Sequence, residues 1–293
     1  MICILSPAKS MDESGGPNFG VLSQPALASK DTAALLPVCK QLSMADLKKL
    51  SGTSDAIAQK DHQRYQTWEK AKCKAACLAM NGPAYLGFDG TSLSTAERQR
   101  AQKKVRILSG LYGVLRPFDA IKPYRLEMGS KLKTSRGSTL YEFWGDVIAK
   151  QLGNEAKVII NAASQEYFKS VQAKALGNVH VITMDFPGPA VYAKKARGLI
   201  CRFAVQNDCK KPDDLKKFVG GPRDPYVFDA SKSSETKYVF RRVVAGKAAP
   251  KAAPKAAGKA AAKAAPKADA KASAKRKDWT AAAAQPKKRA KND

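Results

Sequence analysis

Histidine is nearly missing from this chain of 293 residues, which has only two. His62 and His180 stand far apart and cannot form a histidine-based metal centre between them. Acidic residues are half as frequent as basic ones, 25 against 52, and cysteines number six, scattered along the chain. Few clustered carboxylates, lone histidines and dispersed thiols make a poor iron site, so no metal and no cofactor is expected. Cys73 and Cys77 lie four apart in KAKCKAACLAM, on one face of an expected helix, but no His or further Cys falls at finger-like distance. They read as reduced helix cysteines. No stretch approaches the roughly 20 apolar residues of a membrane span. The opening MICILSP has neither the charged leader nor the long apolar run of a signal peptide. With six cysteines in so long a chain and no secretion signal, a reducing compartment is expected. Together these absences describe a soluble cytoplasmic protein with no membrane partner. Aromatic residues interleaved with basic ones, as a base-stacking platform requires, are also lacking, which disfavours single-stranded nucleic acid.

What the chain has in excess is positive charge. Residues 247–293 hold 14 Lys and Arg against three Asp, a net +11 of the chain's +27, which leaves about +16 on residues 1–246. Lysines recur there every fourth residue from Lys247 to Lys275, separated mainly by Ala with Pro250, Pro254 and Pro266. That period would stack like charges along one helix face, and the prolines oppose a continuous helix. The expected organisation is therefore one α/β domain over residues 1–245 and a disordered basic tail over 246–293. The tail clusters Lys275-Arg276-Lys277 and Lys287-Lys288-Arg289 suit nuclear import in a eukaryote or nucleoid retention otherwise. A domain this positive in its own right favours a polyanionic partner.

The segment Ile107–Gly129, ILSGLYGVLRPFDAIKPYRLEMG, concentrates the pattern. Val105, Ile107 and Leu108 read as the end of a buried strand that Ser109-Gly110 breaks. Gly110 and Gly113 bracket a tight loop whose amides suit an anion, and Arg116, Lys122 and Arg125 follow among Leu115, Phe118, Ile121 and Tyr124. Two readings stand side by side: an anion-binding segment, or a buried loop whose arginines pair with internal carboxylates.

Elsewhere, short apolar strands run straight into polar residues. MICIL ends in Ser6-Pro7-Ala8-Lys9, and Lys157–Asn161 leads to Ser164, Glu166, Tyr167 and Lys169. Polar groups just beyond buried strands are where α/β sheets bind ligands. Lys9 is a candidate phosphate contact and Ser6 a candidate donor, although a Ser-Pro turn explains the same residues. Residues 25–80 read as helical, with a capping box at Ser43 and a cap at Ser54 for a helix through Trp68; Ser94 and Glu97 form another box ahead of ERQRAQKKVR. Ser138–Leu152 reads as one core-facing helix in which Trp144 packs. Residues 178–186 form a third strand, and short strands around Tyr226–Phe228 and Lys237–Arg241 close the domain. The helix Tyr192–Phe203 carries Lys194, Lys195 and Arg197 in its first turns, against its dipole, a cost that a bound anion would offset.

Taken in order, ILSPAKSMD, LSGLYGVLRPFDAIKPYRLEMG, LYEFWGDVI, NAASQEYFKSV and YAKKARGLICRF resemble the YaaA family of peroxide-stress-resistance proteins over roughly residues 1–242. The resemblance implies a cytoplasmic protein that limits peroxide damage by keeping unincorporated iron low. It also implies a single compact α/β domain with a positively charged cleft and a helix-hairpin-helix-like element that binds double-stranded DNA. Matched block by block, the implied cleft residues are Lys9, Arg116, Tyr124, Arg125, Glu127, Ser164, Glu166, Lys169, Lys194, Lys195 and Arg197. Two departures are visible. Residues 186–190 are shorter than the strand pair usual in the family, and the Lys/Ala/Pro tail is an addition to it. Gly110 and Gly113 also have two residues between them where a helix-hairpin-helix has one.

Two functions follow. One is a DNA-binding stress protein that grips the phosphates of duplex or structured DNA, with the tail adding affinity. The alternative is an enzyme acting on a nucleotide or DNA base in the same cleft, with Glu127 and Glu166 as candidate catalytic groups. The expected partners are accordingly DNA, with a small anionic or nucleotide ligand as a further possibility.

Overall fold

A computed structural model describes residues 1–14 and 30–243; the tail expected from residue 246 lies outside the described residues. Eight strands form one sheet: β1 (Ile2–Leu5), β2 (Val105–Ser109), β3 (Gly113–Leu115), β4 (Val158–Asn161), β5 (His180–Asp185), β6 (Gly220–Gly221), β7 (Asp224–Phe228) and β8 (Lys237–Arg242). They lie in the order β6-β7-β8-β5-β4-β1-β2-β3. The five central strands, β8 to β2, are parallel. Their apolar runs, such as the fully buried ICIL of β1, suit strands covered on both faces. Strands β3, β6 and β7 run antiparallel at the edges.

The sequence order decides where a ligand can sit. From β1 the chain passes to β2 on one side; from β4, the neighbour of β1 on the other side, it passes to β5 further out. The register Cys3↔Ile160 and Ile4↔Asn161 keeps the two strand ends level. Connections that leave adjacent strand ends in opposite directions open a crevice between them, the switch point of an open α/β sheet.

The helices include α1 (Lys30–Gln41), α2 (Met44–Ser51), α3 (Asp55–Gln66), α4 (Pro83–Phe88), α5 (Thr95–Lys104), α6 (Leu140–Trp144), α7 (Val147–Glu155), α8 (Gln165–Phe168) and α9 (Ala190–Gln206), of which α4, α8 and α9 border the switch point. The capping boxes of Ser43 with Asp46 and Ser94 with Glu97 form as the sequence indicates. Ser54 occupies its N-cap position without a side-chain bond. Helix α9 packs on α4, β1 and α5, and its approach to α4 is close enough to demand glycine. A methyl group on Gly198 would collide with the Ala84 carbonyl, and one on Gly87 with the carbonyl of Lys195.

Several expectations need correction. The helical reading of residues 25–80 fails near its end, where Lys74–Ala75 pairs with Ala120–Ile121 and Met80–Asn81 with Ser10–Met11. Cys73 is thus exposed and Cys77 buried in a separate short turn, not on one helix face. Ser138–Leu152 is two helices, because Gly145 takes a φ of 47° between α6 and α7. No helix among the described residues is long and apolar enough to cross a membrane.

The Gly110–Gly113 loop is the largest correction. It is the turn of a β-hairpin, with Ser109 paired to Gly113 across β2 and β3, and not a helix-hairpin-helix. Its glycines serve packing. Gly110 lies against the Leu126 backbone, and Gly113, at φ 69°, lies against the Trp144 ring. Trp144 Nε1 donates to the Gly110 carbonyl at 2.9 Å, and the amide of Tyr112 donates to Ser109 Oγ at 3.0 Å. Both glycines are buried, so neither offers its amide to an anion.

Candidate functional site

A cleft of about 330 Å³ occupies the switch point. One wall is the turn after β1, Ser6 to Ser10; facing it are the segment after β4, with Ser164 and Glu166, the start of α4, and Lys194 and Arg197 of α9. The two strand ends are tied together. Ser164 donates from its amide to Ser6 Oγ at 2.8 Å, and Ser6 Oγ lies 3.2 Å from Ser164 Oγ. Tyr85 of α4 adds its hydroxyl to the Ser6 carbonyl at 2.9 Å. The Ser6 turn is therefore held by two other segments, the one after β4 and α4, and Lys9 projects from it with its side chain 67% exposed.

The charges in the cleft are poorly neutralised. Among the described residues, Lys194 and Arg197 form no ion pair, and Arg197 Nε is buried with no hydrogen-bond partner. Burial pulls the Arg197 guanidinium below its ordinary value, and the charge of Asp185 works the other way. Among the described residues, Lys9 has one anionic neighbour, Glu127 Oε1, at a loose 3.9 Å. Glu166 also lines the cleft, with Oε1 accepting from the Gly129 amide at 3.1 Å.

A narrow crevice continues from the cleft past Pro7, Ala8, Lys9 and Tyr167 to Tyr124, Arg125 and Glu127. Here charges alternate in a chain. Glu13 accepts from Arg64, Arg64 donates to Asp61 at 2.6 Å, Asp61 lies 3.9 Å from Arg125, and Arg125 Nε donates to Glu127 Oε1 at 3.0 Å. Burial raises the Asp61 carboxyl despite the opposing pull of Arg64 and Arg125. The chain ends at Glu127, whose other oxygen, Oε2, is buried and accepts no hydrogen bond. Tyr124 shares its hydroxyl with Ser109 Oγ at 2.7 Å, and burial raises it.

The structure thus brings Lys9, Ser164, Glu166, Lys194 and Arg197 into one cleft, with Tyr124, Arg125 and Glu127 in its extension. Four other sequence candidates lie elsewhere, in addition to Gly110. Gly113 is in the hairpin. Arg116 follows β3, which runs back along β2, so it points to the opposite end of the sheet; its amide donates to Asp119 Oδ2 at 2.7 Å. Lys169 sits over the Tyr141 ring at 4.8 Å. Lys195 turns away to Asp224, at 2.7 Å. Sequence reasoning missed Asn81, Pro83 and Tyr85, which line the cleft. Pro83 at a helix start was a readable signal, but nothing local ties it to Ser6. Asp61, which links the crevice to Arg64, was likewise unforeseen.

An open α/β sheet with a cationic cleft at its switch point is the class these features define. A family model described as peroxide stress protein YaaA matches residues 1–232. A UPF0246 protein of Burkholderia orbicola is 43% identical over 263 residues, covering 83% of this chain and 99% of the relative. A UPF0246 protein of Burkholderia mallei is 42% identical over 261 residues, covering 83% and 98%. The chain belongs to the YaaA family of peroxide stress proteins.

Proposed function

We propose that this chain is a DNA-binding protein of the peroxide-stress response, located in the cytoplasm on the nucleoid, that limits iron-dependent damage. It grips phosphates of duplex or structured DNA at the cleft. The observation that carries this reading is the convergence of Lys9, Lys194 and Arg197 on one cleft with a single loose carboxylate contact among them. Unpaired cations in a partly desolvated site await an anion, and the excess of about +16 on residues 1–246 favours a polymeric one. The basic tail would add phosphate contacts of its own. Effects on iron would then be indirect, through DNA.

The helix-hairpin-helix-like element implied by the family resemblance fits α2 and α3 better than the Gly110 loop. These two helices pack on one another through a short turn in which Gly52 takes a φ of 59°.

The test is duplex binding against salt for the full chain and for Lys194→Ala/Arg197→Ala. Each phosphate contact removed should lower the salt slope by about one. A double variant with unchanged affinity and slope would exclude the cleft as the DNA site. One observation favours the enzymatic alternative, the unpaired Glu127 Oε2 beside the cleft. Under that reading Glu127→Gln and Glu166→Gln abolish turnover of a nucleotide or DNA substrate and spare duplex binding.

A further inference from the structure

The interior of the cleft is too small to admit a duplex, which would meet it only at the rim. Its volume of about 330 Å³ falls at the low end of the roughly 300–1,000 Å³ of small-ligand sites, which is room for one nucleotide. A duplex held by its phosphates would lie across the rim and leave the interior unfilled. That interior is not built for a phosphate alone. Pro7, Ala8, Pro83, Ala84, Tyr85 and Tyr167 give it an apolar lining suited to a flat ring. Two buried polar atoms without partners also border it, and they are of opposite kinds. Arg197 Nε is a buried donor on a residue of the cleft wall, and Glu127 Oε2 is a buried acceptor in the adjoining crevice, a gap of about 10 Å³ that admits no more than one exocyclic group of a base. Free phosphate satisfies the first and is repelled by the second. A nucleotide satisfies both, since its phosphate accepts from Arg197 and Lys194 while a base N–H, such as the N4 amino group of cytosine, donates to a carboxylate.

We propose that the cleft is a subsite for a single nucleotide unit, with its phosphate on Lys194 and Arg197, its base against the Pro7–Ala8 and Pro83–Tyr85 walls, and the base edge directed to Glu127. The proposal rests on the reading of the cleft as the anion site and narrows the ligand. The unit has two possible sources, a free mononucleotide or a nucleotide rotated out of a bound duplex. The second is easiest where the base is mismatched, damaged or already unpaired.

The experiment uses the full chain in two arms. In the first, calorimetry compares deoxycytidine 5′-monophosphate with inorganic phosphate. The nucleotide should bind at least tenfold more tightly, Lys194→Ala should weaken both ligands, and Glu127→Gln should weaken the nucleotide while sparing phosphate. Should Glu127→Gln fail to fold, the nucleotide-to-phosphate ratio and the exposed Lys194→Ala still decide. In the second arm, a duplex carrying 2-aminopurine at a mismatch is titrated. A fluorescence rise on binding that excess mononucleotide suppresses assigns the unit to DNA; a flat signal with tight mononucleotide binding assigns it to a free nucleotide. If the mononucleotide binds no better than phosphate and the fluorescence is flat, the subsite does not exist. Salt-sensitive duplex binding that persists in that case leaves the DNA reading standing. Mononucleotide binding without any duplex binding would instead remove the DNA reading and keep the subsite.

Discussion

Compare two hollows among the described residues that carry basic side chains, which differ in what those side chains are doing. The larger, about 500 Å³, lies at the other end of β5, between His180, Asp213, Lys216, Phe228, Glu235 and Tyr238. Its lysine is engaged. Lys216 lies 2.8 Å from Asp213 and over the rings of Phe228 and Tyr238, at 5.7 and 5.2 Å. The neighbouring edge strands follow the same rule, with Lys195 and Arg242 on Asp224 and Arg241 on Asp229 at 2.6 Å. At the smaller switch-point cleft, Lys194 and Arg197 have no such partner. Size alone would have chosen the other hollow; cations without a paired carboxylate are the more telling sign, because the buried Arg197 Nε is left without a partner.

The contrast can be broken by force first. Gly198→Val should push α9 off α4, costing about 3 kcal/mol as an overpacked contact, and should abolish duplex binding. Gly220→Ala collides with the Asp224 carbonyl at a φ of 79°; calorimetry should show a lowered Tm with duplex affinity retained. Loss of affinity in both would mean that the cleft is not separable from the far edge. Next in size, Asp224→Asn strips Lys195 and Arg242 of a buried partner. It should lower unfolding free energy by about 1–3 kcal/mol in denaturant titrations, again without weakening the proposed DNA binding.

Acid offers a graded form of the same test. Asp224 is held below the ordinary carboxylate value by its hydrogen bond to Lys195, and Asp229 by Ser231 and Arg241. A depressed native pKa means that the stabilisation is whole above the unfolded Asp value of about 3.9. It is lost as pH falls through the lower native value. Thermal stability should therefore decline below about pH 4, and Asp224→Asn should flatten that decline. A decline of equal steepness in the variant would assign it to other carboxylates. Smallest of all, Lys216→Ala should leave the Tm nearly unchanged, since exposed ion pairs contribute little, and should leave the salt slope of the proposed DNA binding untouched.

Much of the sheet was legible because parallel strands buried on both faces read as unbroken apolar runs, and Ile2–Leu5 and Val158–Asn161 stand between clear turn signals. Helix starts were legible where a capping box marks them, as at Ser43 and Ser94. The two-residue ladders at Lys74 and Met80 were not, since their partners at Ala120 and Ser10 are supplied by tertiary structure alone. The site was half legible for the same reason. Lys194 and Lys195 are adjacent and chemically alike, and only the position of Asp224, 29 residues on, shows which is already occupied. The glycines at 110 and 113 mark a close backbone approach, as glycines often do, but the approaching groups are Leu126 and Trp144 and not a ligand.

The bond between Ser6 and Ser164 joins positions 158 residues apart. Closing so long a loop is entropically costly, so the two halves of the cleft meet only when strands from the beginning and the middle of the chain are already side by side. No fragment that lacks either strand can inherit the site. Whatever occupies the cleft must therefore be released before those strands separate, and its binding free energy counts in full against global unfolding. Occupancy and resistance to unfolding are in this way one quantity, and a cell that fills the cleft under stress would also be extending the lifetime of the protein.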